Sequence, residues 1–238
     1  MDRRAGSYGV DAPYVPIFSA IGFVLCVIGA VLSTEIFLRV SCGFFAVVLA
    51  YQVAQYMYTT KIGKFKIWDK LLDQAGLHGD ERVLDIGCGR GLILNAAAAR
   101  LPNGKAVGVD LWRSRDQSGN APEVTQHNAD LEGVGERIEL HTEDMTTLSF
   151  PDDSFDLVAA NAAIHNVPTA EGRAEAIREA YRVTKAGGRI IIADIGHTKT
   201  YASELTALGA RDVTRKSAGP DGWFGGPWAS TTVVAAKK

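Results

Sequence analysis

The stretch Val83-Leu84-Asp85-Ile86-Gly87-Cys88-Gly89-Arg90-Gly91 decides the fold. Its first four residues are a short apolar run that reads as a buried strand, and the next five are a G-x-G-x-G loop. The alanine-rich residues 92–101 follow and read as a helix. Glycines between a strand and a helix let the backbone turn sharply and come close to a ligand. Such a ligand lies beyond the carboxyl end of the strand, where open α/β sheets bind theirs.

Outward from this unit the alternation repeats. Strands are expected at 83–86, 106–109, 138–140, 155–160 and 190–193, and helices at 92–101, 121–134, 170–184 and 198–208. Val124 and Leu131 mark the inner face of the second helix, and Ala174, Ile177, Tyr181 and Val183 that of the third. Strands separated by helices predict a parallel sheet covered on both faces. The runs at 213–216 and 231–236 lack an intervening helix and should close one edge as an antiparallel pair. The expected fold is α/β, a doubly wound, mostly parallel seven-stranded sheet of the Rossmann-like kind spanning residues 61–238.

Two further loops carry chemistry. The second strand ends in Asp110, followed by Leu111 and Trp112. An acid there can accept hydrogen bonds from ribose hydroxyls, with Leu111 and Trp112 against an adenine ring. After the third strand comes Glu143-Asp144-Met145. Asp144 can accept from an exocyclic amine, and Met145 offers a flexible apolar wall. Three such loops describe a nucleoside site.

In combination these motifs resemble class I S-adenosylmethionine-dependent methyltransferases, the broad group that includes ubiquinone- and menaquinone-methylating enzymes. The resemblance runs from about residue 64 to the end, and includes Phe155-Asp156-Leu157-Val158 on the fourth strand and Lys185-Ala186-Gly187-Gly188-Arg189 before the fifth. It implies S-adenosylmethionine as cofactor and S-adenosylhomocysteine as product, held by Asp85, Gly87, Cys88, Gly89, Gly91, Asp110, Leu111, Asp144, Met145 and Asn161. The segment Asn161-Ala162-Ala163-Ile164-His165-Asn166 falls where the family places residues nearest the methyl group. It lacks the Asn/Asp-Pro-Pro-Tyr/Phe pattern of enzymes that methylate amino groups of adenine or glutamine. His165 is the candidate base, useful where the acceptor must lose a proton. A histidine packed behind the cofactor is the bland alternative. Cys88 reads as a small packing residue, since no basic group stands beside it in the sequence to activate a thiolate. Two rival readings share the glycine loop: a nicotinamide-dependent oxidoreductase, and a non-catalytic S-adenosylmethionine-binding membrane protein.

The first 60 residues are different. Residues 17–33 and 40–58 are apolar runs, each about long enough to cross a hydrocarbon core of roughly 30 Å. The turn between them carries Thr34, Glu35 and Arg39. A transmembrane hairpin is expected, with helices at about 16–34 and 38–59; a cleaved signal peptide over the first run, and a soluble helical cap over the active site or a dimerisation arm, are the alternatives. Small residues at Ser19, Gly22, Cys26, Ala30 and Ser33, and at Cys42, Ala46, Ala50 and Ala54, predict the touching faces. Arg3 and Arg4 before the first span, and Lys61, Lys64, Lys66 and Lys70 after the second, place both termini and the catalytic domain in the cytoplasm. Tyr8, Tyr14, Tyr56, Tyr58 and Trp68 are candidates for the headgroup level, and Lys64, Lys66 and Trp68 for a grip on anionic headgroups or a lid. A membrane anchor points to a small acceptor of lipid- or quinone-like character. The loop Gly222-Trp223-Phe224-Gly225-Gly226-Pro227-Trp228 is expected to line an acceptor pocket, meet the membrane, or pack the sheet edge.

The chain has 238 residues and a formal net charge of −2, with no Lys/Arg run suited to a polyanion, so nucleic acid is not an expected partner. Cys26, Cys42 and Cys88 suggest no disulfide framework. No His, Cys and carboxylate cluster has ligand spacing, so no metal is expected. The sequence leaves the oligomeric state open.

Overall fold

The computed structural model describes residues 4–113 and 117–238. Arg3 lies outside the described residues. Two apolar helices come first, α1 (Tyr14–Leu32) and α2 (Ile36–Tyr58), packed side by side as a hairpin. Both are long and apolar enough to cross a bilayer. Their outer faces expose Phe18, Leu25, Val31, Phe37, Phe44 and Val47.

The seam between them follows the 3.6-residue period. On α1 the shielded positions include Ser19, Gly22, Cys26, Gly29, Ala30 and Ser33, with Gly29 against Cys42 and Gly22 against Leu49. On α2 they are Cys42, Ala46, Leu49, Val53 and Tyr56, while Ala50 and Ala54 are exposed. The expected stripe on α2 holds for two residues and then fails. A strict spacing of four advances about 40° past a full turn at each step, so it rotates off the contact face.

No break separates hairpin from domain. From α2 the chain continues through a π-helical turn (Thr59–Gly63) into α3 (Lys64–Ala75), which Gly76 ends in a left-handed cap. There follow β1 (Arg82–Ile86), α4 (Leu92–Ala99), β2 (Lys105–Asp110), α5 (Pro122–Leu131), β3 (Ile138–Thr142), β4 (Phe155–Asn161), α6 (Ala170–Val183), β5 (Thr184–Asp194), α7 (Thr198–Ala207), β6 (Arg211–Ser217) and β7 (Thr232–Lys237). The sheet order is β3-β2-β1-β4-β5-β7-β6. The first five strands are parallel, and β7 pairs antiparallel with both β5 and β6. The doubly wound seven-stranded sheet and its antiparallel edge are as the alternation predicts. Lys185-Ala186-Gly187-Gly188 form a bulge inside β5, where the register against β4 slips between Phe155 and Leu157.

Each sheet face carries its own core. Trp68, Leu72, Ile93, Leu94 and Leu101 fill one, and Leu84, Val158, Ile177, Ile192 and Leu205 the other. Trp68 is 0% exposed and Tyr8 is buried in the same core, so neither can lie at a membrane interface. On α5 the buried residues are Thr125, Asn128 and Ala129, whereas Leu131 is exposed and Val124 only half-buried. The inner face of α5 is polar for a reason. Asn128 bonds the backbone of Ser7 through both its oxygen and its amide, and Thr125 donates to the carbonyl of Gly89.

Those Ser7 bonds belong to a feature the sequence pattern does not reveal. Residues 4–12 form a strap across the sheet's carboxyl end. The Tyr8 hydroxyl meets Glu132 and Asn95, and its ring meets Phe65 edge-on. Burial raises that hydroxyl's pKa to about 12. Asp11 bridges to Gln117, and the Tyr56 hydroxyl donates to the Asp11 carbonyl.

Candidate active site

The sheet reverses its strand order between β1 and β4, and loops leaving their carboxyl ends diverge there to leave a crevice. A cavity of about 590 Å³ opens at this point, within the usual range for small-ligand sites. Its lining includes Asp85, Gly87, Cys88, Gly89, Asp110, Leu111, Asp144, Met145, Asn161 and His165. Gly91 is the one predicted cofactor residue outside that lining. It caps α4 at φ +84°, with Thr125 and Asn95 closing the space a side chain would take.

The glycine loop is shaped by close approach. A β-carbon on Gly87 would overlap the Ala163 methyl, and one on Gly89 would strike the Gln117 amide oxygen. Both have positive φ, which side chains disfavour. At the loop's base Asp85 is 1% exposed. Its Oδ2 accepts from the Leu94 backbone N–H at 3.0 Å, and its Oδ1 has no partner. Burial pushes this carboxyl up to about 8, with the nearby Asp110 charge adding to the effect. A buried acid missing one partner fits a ligand that brings a cation or donor. Cys88 is buried and its thiol is pushed well up, foremost by burial, so it packs and does not attack.

Asp110 is already well occupied. Oδ2 accepts from Gly89 N–H, and Oδ1 from Trp112 N–H and the Asn120 amide. A carboxylate has about four acceptor sites, so one remains, and holding both ribose hydroxyls requires one of these donors to give way. Leu111 lines the cavity, but Trp112 does not. Its indole N–H donates to Thr142 at the end of β3, which turns the ring from the expected adenine position. Asp144 Oδ1 is taken by the backbone and hydroxyl of Thr146. Asn161 accepts from the buried Trp68 indole at 2.8 Å.

Past Asn161 the backbone enters the left-handed region at Ala162, φ +47°, a strained conformation of the kind that gathers at functional sites. A short turn (Ile164–Asn166) then presents His165. Its Nδ1 lies 2.6 Å from Oδ1 of Asp194, the last residue of β5. Asp194 is fully buried and also accepts from the backbone N–H of Ile195 and of His165 and from the Tyr201 hydroxyl. The carboxylate fixes the ring, leaving Nε2 as the nitrogen that can accept a proton. Sequence reading finds His165 and misses Asp194, although an acid ending an apolar strand is the same signal that marks Asp110.

Strand order, glycine loop and acids at the strand ends define a class: the open α/β domains that hold a nucleoside-type ligand at the switch point of the sheet. Residues 84–192 match a family model described as a methyltransferase domain. The ubiquinone/menaquinone biosynthesis C-methyltransferase UbiE of Hahella chejuensis is 33% identical over 55% of this chain and 50% of its own length. The 27-O-demethylrifamycin SV methyltransferase of Amycolatopsis mediterranei is 31% identical over 54% and 44%. The crystal structure of an S-adenosylmethionine-dependent methyltransferase from Aquifex aeolicus superposes with a TM-score of 0.56 at 18% identity, covering 71% of this chain and 88% of that one. The chain spans about half the length of the curated relatives it matches. Residues 84–192 thus match a methyltransferase domain, and the fold around them is that of an S-adenosylmethionine-dependent methyltransferase.

Proposed function

We propose that this chain methylates a small acceptor that partitions into the membrane and gives up a proton at the methylated atom. One observation carries the reading. A single cavity is lined both by Asp110, Asp144 and His165 and by Ala12, Tyr14, Val15, Tyr56 and Phe224, residues at the foot of the apolar hairpin. Phe224 packs edge-on against Tyr56, and the loop carrying it is tied to the helix by Gln55 to the Pro220 carbonyl and Thr59 to the Trp223 carbonyl. An acceptor reaching His165 along this wall meets aromatic and aliphatic surface.

In this reading residues 1–60 anchor the chain through α1 and α2, both ends facing the cytoplasm, and residues 61–238 form the catalytic domain. Lys64 and Trp68, being buried, take no part in gripping headgroups. Exposed Lys66 remains for that role, together with Lys61 and Trp228.

Bound S-adenosylmethionine supplies a methyl group already activated on a sulfonium. The protein has to hold, align and dry the site. Asp85 receives the cofactor's ammonium, Asp110 its ribose, and Asp144 with Met145 its base. His165 Nε2 takes the acceptor's proton while Asp194 stabilises the resulting imidazolium. The named relatives methylate carbon in one case and oxygen in another, and a base serves both where the acceptor atom bears an acidic proton.

The test uses full-length protein in mild detergent with methyl-labelled S-adenosylmethionine and a whole-cell extract split into lipid and aqueous fractions. Label entering the lipid fraction is expected. Label confined to a water-soluble metabolite contradicts the acceptor class.

A further inference from the structure

We propose that Lys64 is the cation that binds the carboxylate of S-adenosylmethionine, and that Asp11 on the strap is an internal stand-in for that carboxylate. The inference rests on the cofactor assignment above.

Lys64 is 4% exposed and lines the cavity. A lysine so buried needs an anion beside it. Its Nζ lies 2.8 and 3.0 Å from the two oxygens of Asp11. The position of that carboxylate is informative. Its Oδ1 also accepts from the Gln117 amide, whose oxygen accepts from the backbone N–H of Arg90 in the glycine loop. On the other side Lys64 stands one helical turn before Trp68, which bonds Asn161 at the end of β4. The Asp11 carboxylate is therefore linked to the glycine loop, and it lines the same cavity as Asp85.

The amino-acid end of the cofactor carries an ammonium and a carboxylate on one carbon. If Asp85, with its open Oδ1, takes the ammonium, the carboxylate falls a few ångströms away and requires a cation. The lysines and arginines among the described lining residues are Lys64, Arg90 and Arg113. Arg90 donates through Nη1 to the Ser118 carbonyl and keeps a buried Nε without a partner, and Arg113 follows Trp112 in the loop after β2. Lys64 is the one that already holds a carboxylate among the described contacts. Cofactor entry exchanges one anion for another at the same nitrogen. The far end of the strap stays moored at Tyr8 and Ser7, while Asp11 is released next to Ala12, Tyr14 and Val15 at the foot of α1. Cofactor occupancy is thereby felt at the acceptor end of the cavity.

The test compares two probes by calorimetry on the full chain in detergent: S-adenosylhomocysteine, which has the carboxylate, and 5′-methylthioadenosine, which lacks the amino-acid end. Lys64→Met is expected to weaken S-adenosylhomocysteine by about 10- to 100-fold and to leave methylthioadenosine within about twofold. Asp11→Asn, which keeps the shape and removes the competing charge, is expected to tighten S-adenosylhomocysteine alone. The ratio of the two affinities is the readout, so a general loss of folded protein does not imitate the result. An unchanged ratio in Lys64→Met, or weaker S-adenosylhomocysteine binding in Asp11→Asn, overturns the inference while the cofactor assignment stands. Failure of the unaltered chain to bind either nucleoside overturns both.

Discussion

At the scale of single residues, the site is a set of acids with different surroundings. Asp194 is buried, with four hydrogen bonds from three residues, two of them from His165, and this suits it to orient a base. Asp194→Asn and His165→Ala are each expected to lower turnover by roughly 10²- to 10⁴-fold with S-adenosylhomocysteine affinity within about twofold, measured by label transfer and calorimetry. A loss of affinity equal to the loss of turnover would remove His165 from the chemistry. Asp85 makes a different prediction. Burial raises its carboxyl from 3.8 to about 8 in the folded chain. Between those values the folded state holds a proton that the unfolded state has released, so stability without cofactor falls as pH rises through that window. Wild-type protein is expected to melt lower at about pH 7.5 than at about pH 5.5, and Asp85→Asn to show a smaller difference. Equal pH dependence in both would refute the assignment. Asp85 and Asp110 were legible at the ends of apolar strands, and Asp144 by its place in the loop after β3. Asp194 carried the same mark, with Gly196 two residues on, but not the repeated glycines of the first loop, and Lys64 was illegible because its partner Asp11 lies 53 residues upstream.

At the scale of elements, the alternation of apolar runs was enough to place every strand, since each must be buried on both faces or close an edge. Helix faces were less legible. The polar inner face of α5 serves the strap and the glycine loop, so no apolar stripe announces it. In the hairpin, small residues named the seam on α1, but on α2 the contact moves to Leu49 and Val53, where packing is by larger side chains. The seam has a sharp test. A β-carbon built at Gly29 lies 3.6 Å from the Cys42 β-carbon, inside the disulfide range of about 3.5–4.5 Å. In a chain with Cys26→Ala and Cys88→Ala, Gly29→Cys is expected to bond Cys42 on mild oxidation, seen as protection of both thiols from alkylation in the monomer band. Two freely alkylated thiols would place the helices differently.

For the whole molecule, the join matters most. The chain runs from α2 through Thr59–Gly63 into α3 without leaving helix. The strap and the Phe224 loop close against the same joint. Neither contact was legible, because both depend on hydrogen bonds between residues distant in sequence. Together they fix the cavity's apolar end to the hairpin's foot. If the hairpin lies in a bilayer, the full chain should stay with membranes through alkaline carbonate extraction, and release into the supernatant would contradict the anchor. The central claim is methyl transfer to a membrane-partitioning acceptor. Its most direct test is mass spectrometry of lipids from cells that naturally make this chain, after deletion and complementation with wild type or His165→Ala. The account predicts a lipid lighter by one CH₂ accumulating with His165→Ala and its methylated form restored by wild type. Identical lipids in the two strains, with a methylated water-soluble metabolite lost instead, would contradict it.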